Sequence, residues 1–352
     1  MEPPCFDPPA VLPRAHPRIA LGGRIKRRAE DFRVDELLDV APEGEGGHAW
    51  LRLAKRDVNT QWLARELARG ARVRPADVSY AGLKDRRALA TQWFSVRLDA
   101  RPDPDWRALL PHGVELLEAT RHRRKLRPGA LAGNRFDIVV SGARGDLAAA
   151  PGRCAELARD GVPNYFGAQR FGRDAGNVIR AWAVLIGGER VRDRRLRGIY
   201  LSAARALLFN RVLARRVAAG TWQRALAGEC LMLAGSHSIF TAHSPDADIE
   251  ARLKALDVHP TGPLCGRGTP PASAAAAAAE AEALTGCGEW IEGLQRAGLE
   301  HARRALRVVP GEARAEAGAG DTLRVAFTLP PGAYATMVLR ELGDVEDGEG
   351  GA

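Results

Sequence analysis

The run Gly82-Leu83-Lys84-Asp85-Arg86-Arg87 sets one carboxylate among three cations. Cations nearby favour the ionised form of an acid. An ionised carboxylate is a poor general acid, but it can act as nucleophile, general base or anchor for a cation. Taken alone, the run reads first as a turn in which Asp85 pairs with Arg86 or Arg87. Three further runs carry candidate chemistry. "NYFGAQRFGR" (164–173) interleaves aromatic pairs with Gln169 and Arg170. Rings such as Phe166 beside arginine suit base stacking and phosphate contact, and buried aromatics at an ordinary turn fit as well. In "KLRPGALAGNRF" (125–136), Gly129 and Gly133 allow a tight turn that would present Asn134. An Asn amide matches the edge of a uracil, although a plain turn hydrogen bond is the simpler reading. In "FTLPPGAYATMVLREL" (327–342), a Pro-Pro-Gly turn sets Tyr334 near a helix N-terminus, a platform for an anion or a base. A strand-to-helix corner is again the simpler reading.

Other signatures are missing. There is no P-loop and no H-E-x-x-H, and the histidines lack metal-ligand spacing, so no metal site is expected. "GRGTP" (266–270) has too few glycines for a nucleotide loop. Ser236-His237-Ser238 are neighbours in sequence, which rarely form a triad.

The chain of 352 residues is long enough for two domains, and a 45% hydrophobic content supports a packed core. A net charge of +9 points to a polyanionic partner. The charge clusters in "RHRRKLR" (121–127) and "RVRDRRLR" (190–197), where Arg123, Arg124 and Lys125 are candidate phosphate contacts, alongside Lys84. Cys5, Cys154, Cys230, Cys265 and Cys287 are scattered, which argues for reduced thiols and a cytoplasmic setting. The N-terminus does not read as a secretory signal, and no apolar run reaches the roughly 18 residues of a membrane span.

The Pro-rich residues 1–17 are expected to form a flexible or extended leader. Alternation predicts strands over "FRVDELL" (32–38) and "AWLRLAKR" (49–56). Asn59 or Thr60 caps a helix over "NTQWLARELARGAR", with Gly70 as its stop. "ADVSYAGL" and "QWFSVRL" read as strands, so Lys84 and Asp85 fall on the loop between them. "GVELLEATRHRRKLRPGALAGNRFDIVVSG" gives strand, basic loop, strand. From about residue 147 helical periodicity dominates, including the whole stretch from Ala281 to Val309, and the Ala run at 274–279 is expected to be a surface helix or connector. "DTLRVAFTL" returns to strand. The expected fold is α+β: a mixed or antiparallel sheet built from both ends of the chain, with a largely helical insertion.

Five segments in order, "AGLKDRRALATQW", "RHRRKLRPGALAGNRF", "VPNYFGAQRFG", "LSAARALLFN" and "GAYATMVLREL", resemble the TruD family of tRNA pseudouridine synthases, and the likeness spans nearly the whole chain. It implies a catalytic domain from residues 1–158 and 307–352 and an insertion domain over 159–306. It implies an isomerase that moves uracil in tRNA from an N1 to a C5 glycosidic link, without metal, nucleotide or redox cofactor. The family's catalytic aspartate falls on Asp85. Its base-contacting residues fall on Phe32, Asn134 and Tyr334, where the family usually has Phe. Lys26 matches a basic residue near the active site, and Phe136 matches a ring position. In bacterial members the usual target is uridine 13 of glutamate tRNA. The absence of heptads or a large apolar stripe fits a monomer. Two other readings remain at this point. One is a non-catalytic tRNA-binding chaperone on the same fold, indifferent to Asp85. The other is a hydrolase using Asp85 and Lys84, for which no water-activating motif is present.

Overall fold

The computed structural model describes residues 6–127 and 130–348; Cys5 and Gly129 lie outside them. The chain folds into two compact units. One comprises Arg18–Arg159, Pro310–Ala335 and residues 342–348; the other comprises residues 6–17, Asp160–Val309 and Thr336–Glu341.

The first unit opens with β1 (Leu21–Ile25), β2 (Phe32–Leu37), β3 (His48–Arg56), α1 (Thr60–Gly70), β4 (Val78–Tyr80) and β5 (Leu89–Arg97). It continues with α2 (Trp106–Leu109), β6 (Val114–His122), β7 (Gly133–Gly145) and α3 (Ala150–Asp160). Along β3 the alternation seen in the sequence sends Ala49, Leu51 and Leu53 into the core. There they meet Leu63 and Leu67 of α1 and Phe94 and Val96 of β5. Asn59 caps α1, its side chain accepting from the amides of Gln61 and Trp62 at 2.9 and 3.1 Å. Gly70 is the last residue of α1 rather than its stop; Arg72, at φ 52°, makes the left-handed turn.

The second unit carries β8 (Val162–Pro163), α4 (Ala168–Phe171), α5 (Gly176–Leu185), α6 (Arg194–Ala218), β9 (Glu229–Leu233), β10 (Ile239–Ala242), α7 (Ala247–Lys254) and β11 (Val258–Leu264). Then come α8 (Ala274–Ala283), α9 (Gly288–Arg296), β12 (Ala302–Ala305) and β13 (Arg307–Val308). This unit is less helical than expected. It contains a four-stranded sheet in the order β10-β9-β11-β12. The end of the stretch read as helix is strand instead. Gly298, at φ 84°, leaves α9 behind, and β12 pairs antiparallel with β11. Arginines at 303, 304 and 307 mimic a helical face in sequence, yet Arg303 and Arg307 are buried against partners across strands. The Ala run forms α8, where Ala276 and Ala283 are buried and Glu280 pairs with Arg303 at 2.6 Å. Residues 6–17 form neither helix nor strand but are tied down: the Pro13 carbonyl accepts from the Tyr165 hydroxyl at 3.2 Å, and the Glu341 carboxylate accepts from the amides of Ala15 and His16.

The chain ends with β14 (Gly311–Ala317), β15 (Thr322–Leu329), α10 (Ala335–Leu342) and β16 (Asp344–Asp347). Three of these strands join the first unit's sheet, ordered β14-β15-β7-β2-β5-β3-β6, with β1 beside β7 and β16, and β4 beside β5. Only β2–β5 and β1–β16 pair in parallel among the described strands, so the sheet is mixed, as the sequence predicts. Gly133 does not form the tight turn expected of it. It begins β7, and a Cβ there would stand 2.5 Å from the Leu329 carbonyl oxygen, so close approach of the β15 end is the reason for glycine.

Candidate active site

One face of the first unit's sheet collects the candidate residues. Period-2 alternation puts Phe32, Val34 and Glu36 of β2 on the same face as Asn134 and Phe136 of β7 and Phe327 of β15. The register sets Glu36 opposite Asn134, Val34 opposite Phe136, and Phe136 opposite Phe327. The rings form a row. Phe32 meets Phe136 edge to face at 6.1 Å between centroids, and Phe136 meets Phe327 at 5.4 Å. All three are buried.

The loop between β4 and β5 carries Asp85. A chain of hydrogen bonds fixes it: Gln92 Nε2 donates to the Gly82 carbonyl at 2.6 Å, Thr60 Oγ1 donates to Gln92 Oε1 at 3.0 Å, and the Lys84 amide donates to Thr60 Oγ1 at 3.3 Å. The Asp85 carboxylate is held at both oxygens. The Arg87 amide donates to Oδ1 at 3.1 Å, an Asx-type turn, and Lys26 Nζ donates to Oδ2 at 2.6 Å. The Lys26 side chain is 1% exposed and that of Asp85 is 23% exposed, so the acid keeps an open side while its partner does not. Lys26 also donates to Asp347 Oδ2 at 2.9 Å and lies 4.9 Å from the Phe32 ring centroid. Burial alone pulls the Lys26 ammonium down, but Asp85 and Asp347 more than offset it and raise its pKa above the ordinary value. Lys26 adopts φ 58°, left-handed for a residue with a side chain.

Lys55 was not singled out by the sequence reading. It is fully buried, donating to the Val58 carbonyl at 2.7 Å and to the Asp85 carbonyl at 3.2 Å. Burial pulls it down to about 8, against the attraction of Asp85. The signal was present: Lys55 continues the inward parity of Ala49, Leu51 and Leu53 along β3. Glu36 carries the same signal on β2. Asp347 carries none.

Lys84 departs from the expected role. It points inward, its side chain 5% exposed, donating to Asn134 Oδ1 at 2.7 Å and lying 3.3 Å from Glu36 Oε2. The Glu36 contact is an ion pair without hydrogen-bond alignment. Burial dominates on both sides of it, raising Glu36 and lowering Lys84, with each partner opposing the other's shift. Lys84 is therefore placed to orient Asn134 rather than to meet a phosphate. The cation on the carboxylate of Asp85 comes from Lys26, far away in sequence, not from Lys84.

The remaining candidates spread out. Tyr334 is half-buried just before α10, in the segment that follows β15 past Asn134's partner Leu329. Arg123 ion-pairs with Glu45 and Glu43, Lys125 donates to the Ala76 carbonyl at 2.7 Å, and Arg124 is exposed. Phe166, Gln169 and Arg170 belong to the second unit. The Phe166 ring is core, not surface: it meets Phe209 edge to face at 5.5 Å, and the Arg304 guanidinium covers it at 4.1 Å. Its stacking role is thus corrected to packing. Gln169 is exposed, and Arg170 donates to Ser202 Oγ at 3.0 Å. Among the described residues, no three His, Cys, Asp or Glu converge where they could hold a metal ion. No described helix is long and apolar enough to cross a membrane.

The family model for tRNA pseudouridine synthase D (TruD) matches residues 17–189 and 185–342. The chain belongs to the TruD family of tRNA pseudouridine synthases. It is similar to a tRNA pseudouridine synthase D of Methylococcus capsulatus, 49% identical over 331 residues that cover 94% of each chain. A tRNA pseudouridine synthase D of Nitrosococcus oceani is 48% identical over 320 residues, covering 90% of this chain and 89% of that one. Among solved structures, a chain from Methanosarcina mazei assigned to TruD superposes with a TM-score of 0.72 at 24% identity, covering 97% of this chain and 99% of its own. That likeness speaks for the α+β fold. The family is one of isomerases acting on uridines of tRNA, so this TruD-family chain is an enzyme of that class.

Proposed function

We propose that the protein converts uridine 13 of glutamate tRNA to pseudouridine, with Asp85 as the catalytic carboxylate. One observation carries the reading. Asp85 is a partly exposed acid held at both oxygens, and the sheet face reached by its loop bears aromatic rings and an amide. Isomerisation breaks the C1′–N1 bond, forms a C1′–C5 bond, and moves a proton from C5 to N1, with no net gain or loss of atoms. The carboxylate can add to C1′ or take a proton at C2′, and either start needs the ionised acid. The Lys26 ammonium and the Arg87 amide orient it.

The target base must leave its stack, at a cost of about a few kcal/mol. Tyr334, half-buried, offers ring surface to offset this, and Phe32, 5% exposed, contributes only its rim. Asn134 supplies an edge contact whose orientation follows from Lys84. An ammonium can only donate, so the amide oxygen of Asn134 faces Lys84 and the NH₂ group faces away. The NH₂ group of Asn134 is thereby turned to donate to a uracil carbonyl, while the amide oxygen keeps a second lone pair that can accept from N3–H. Phe136 backs Phe32 from behind. Arg124, Gln169 and Arg170 contribute to tRNA backbone contact, and the chain works as a monomer in the cytoplasm without a cofactor.

The test is pseudouridine mapping on unmodified glutamate tRNA with the wild type and Asp85→Asn. Conversion at position 13 by the wild type only, with tRNA still bound by the variant, is the expected result. Binding by both without pseudouridine from either would turn the reading toward a tRNA chaperone.

A further inference from the structure

Both residues that hold Asp85 also belong to the lining of a recess. Lys26, bonded to Oδ2, and Arg87, whose amide holds Oδ1, line a cleft of about 480 Å³. Arg24, Arg27 and Arg28 line it too. Two of its cations are already answered: Arg24 by Glu346 at 3.0 Å, and Lys26 by Asp85 and Asp347. Arg27, Arg28 and Arg87 are exposed, and among the described residues none of their guanidinium groups forms an ion pair with a carboxylate within 4.0 Å. Against them stands one lining carboxylate without an ion-pair partner, that of Asp57. The recess thus carries unanswered positive charge in the form of planar forks that fit phosphate oxygens. Its volume suits a nucleotide-sized group rather than a bare ion. Two of its lining residues, Lys26 at φ 58° and Asp57 at φ 54°, hold left-handed backbone, a conformation that collects at binding sites.

We infer that this cleft is a subsite for the ribose-phosphate of the nucleotide next to the target uridine, gripped by Arg27, Arg28 and Arg87. The inference rests on the reading of Asp85 proposed above and adds a substrate subsite to it. Occupancy is linked to the reacting centre by short paths. A phosphate drawn to Arg87 steadies the turn whose amide holds Oδ1, and one bound at Arg27 sits next in sequence to Lys26, whose ammonium holds Oδ2.

The experiment compares wild type with Arg27→Gln/Arg28→Gln, both exposed positions, by equilibrium binding of unmodified glutamate tRNA across salt concentrations and by single-turnover pseudouridine formation. The expected result is about a tenfold or greater rise in Kd near 0.1 M salt. The slope of log K against log salt should fall by about 1.5, two contacts' worth. A methylphosphonate at one of the two phosphates flanking the target should weaken the wild type more than the double variant, which keeps Arg87 alone. A variant with unchanged Kd and slope, or a methylphosphonate that weakens both proteins equally, overturns the subsite. The binding arm does not depend on chemistry. The expected slope difference between wild type and variant, with no pseudouridine formed by the wild type, therefore overturns the Asp85 reading, and equal slopes with normal pseudouridine formation overturn the subsite alone.

Discussion

Lys84 Nζ donates to Asn134 Oδ1 at 2.7 Å, joining the residue before the candidate catalytic acid to a strand 50 positions away. This bond, with Glu36 beneath it, turns a lysine that looked like a phosphate contact into a support for an amide. Lys84→Met should lower kcat/KM about tenfold, near 1.4 kcal/mol of transition-state binding, while leaving tRNA Kd and its salt slope unchanged. A fall in the salt slope would mean that Lys84 reaches the RNA backbone after all.

Lys26 makes the second prediction. Its ammonium bridges Asp85 and Asp347 from a buried position. Lys26→Met leaves two carboxylates without their shared cation and should cost roughly 2 kcal/mol of stability, since both acids keep some contact with water. Pseudouridine formation should fall at least a hundredfold. Chemical unfolding and single-turnover rates on the same preparation check both. A variant as active as wild type would remove Lys26 from the site.

Lys55 sets a pH dependence. Burial holds it near 8 in the folded chain, against 10.5 for the free side chain. Between about pH 8 and 10.5 the unfolded chain binds a proton that the folded chain has lost, so stability rises with pH across that window, by up to roughly 3 kcal/mol. Lys84, also lowered by burial, adds in the same sense. Lys26, raised, acts only above this window. Urea unfolding of wild type and Lys55→Met from pH 7 to 10.5 measures the difference. Parallel curves would mean that Lys55 is not buried as described.

Phe166 tests the second unit. Its ring packs on Phe209, and its backbone is locked to α6, the amide donating to Asn210 Oδ1 at 2.8 Å and the carbonyl accepting from Asn210 Nδ2 at 2.9 Å. Phe166→Ala should destabilise the protein by about 3–5 kcal/mol. Phe166→Leu, which refills most of the space, should bind tRNA as wild type does. A stable Phe166→Ala with weakened RNA binding would restore the stacking role.

The basic run 121–127 offers fewer contacts than its charge suggests. Arg123 is engaged by Glu43 and Glu45, and Arg121 by Asp103 at 2.8 Å. Arg123→Ala/Arg124→Ala should therefore lower the salt slope of tRNA binding by less than one, the share of Arg124 alone. A drop near two would show that the tRNA displaces the glutamates.

Local pattern in the sequence determined much of this protein. Alternation placed β2 and β3, the Asn59 cap placed α1, and the two strands read around Gly82-Leu83-Lys84-Asp85 put the acid on a loop. These features depend on spacing within a few residues, so a single chain displays them. The tertiary structure alone decided which charges meet. Lys26, Asp85 and Asp347 come from opposite ends of the chain, and Lys84 turns to Glu36 and Asn134 although Asp85 is its neighbour. β12 and β13 were hidden because buried arginines at 303 and 307 imitate a polar helical face. Pairing of this kind is set by sheet register and by the cost of burying an unpaired charge. Neither is written in the spacing of nearby residues, and both appear only when distant strands lie side by side.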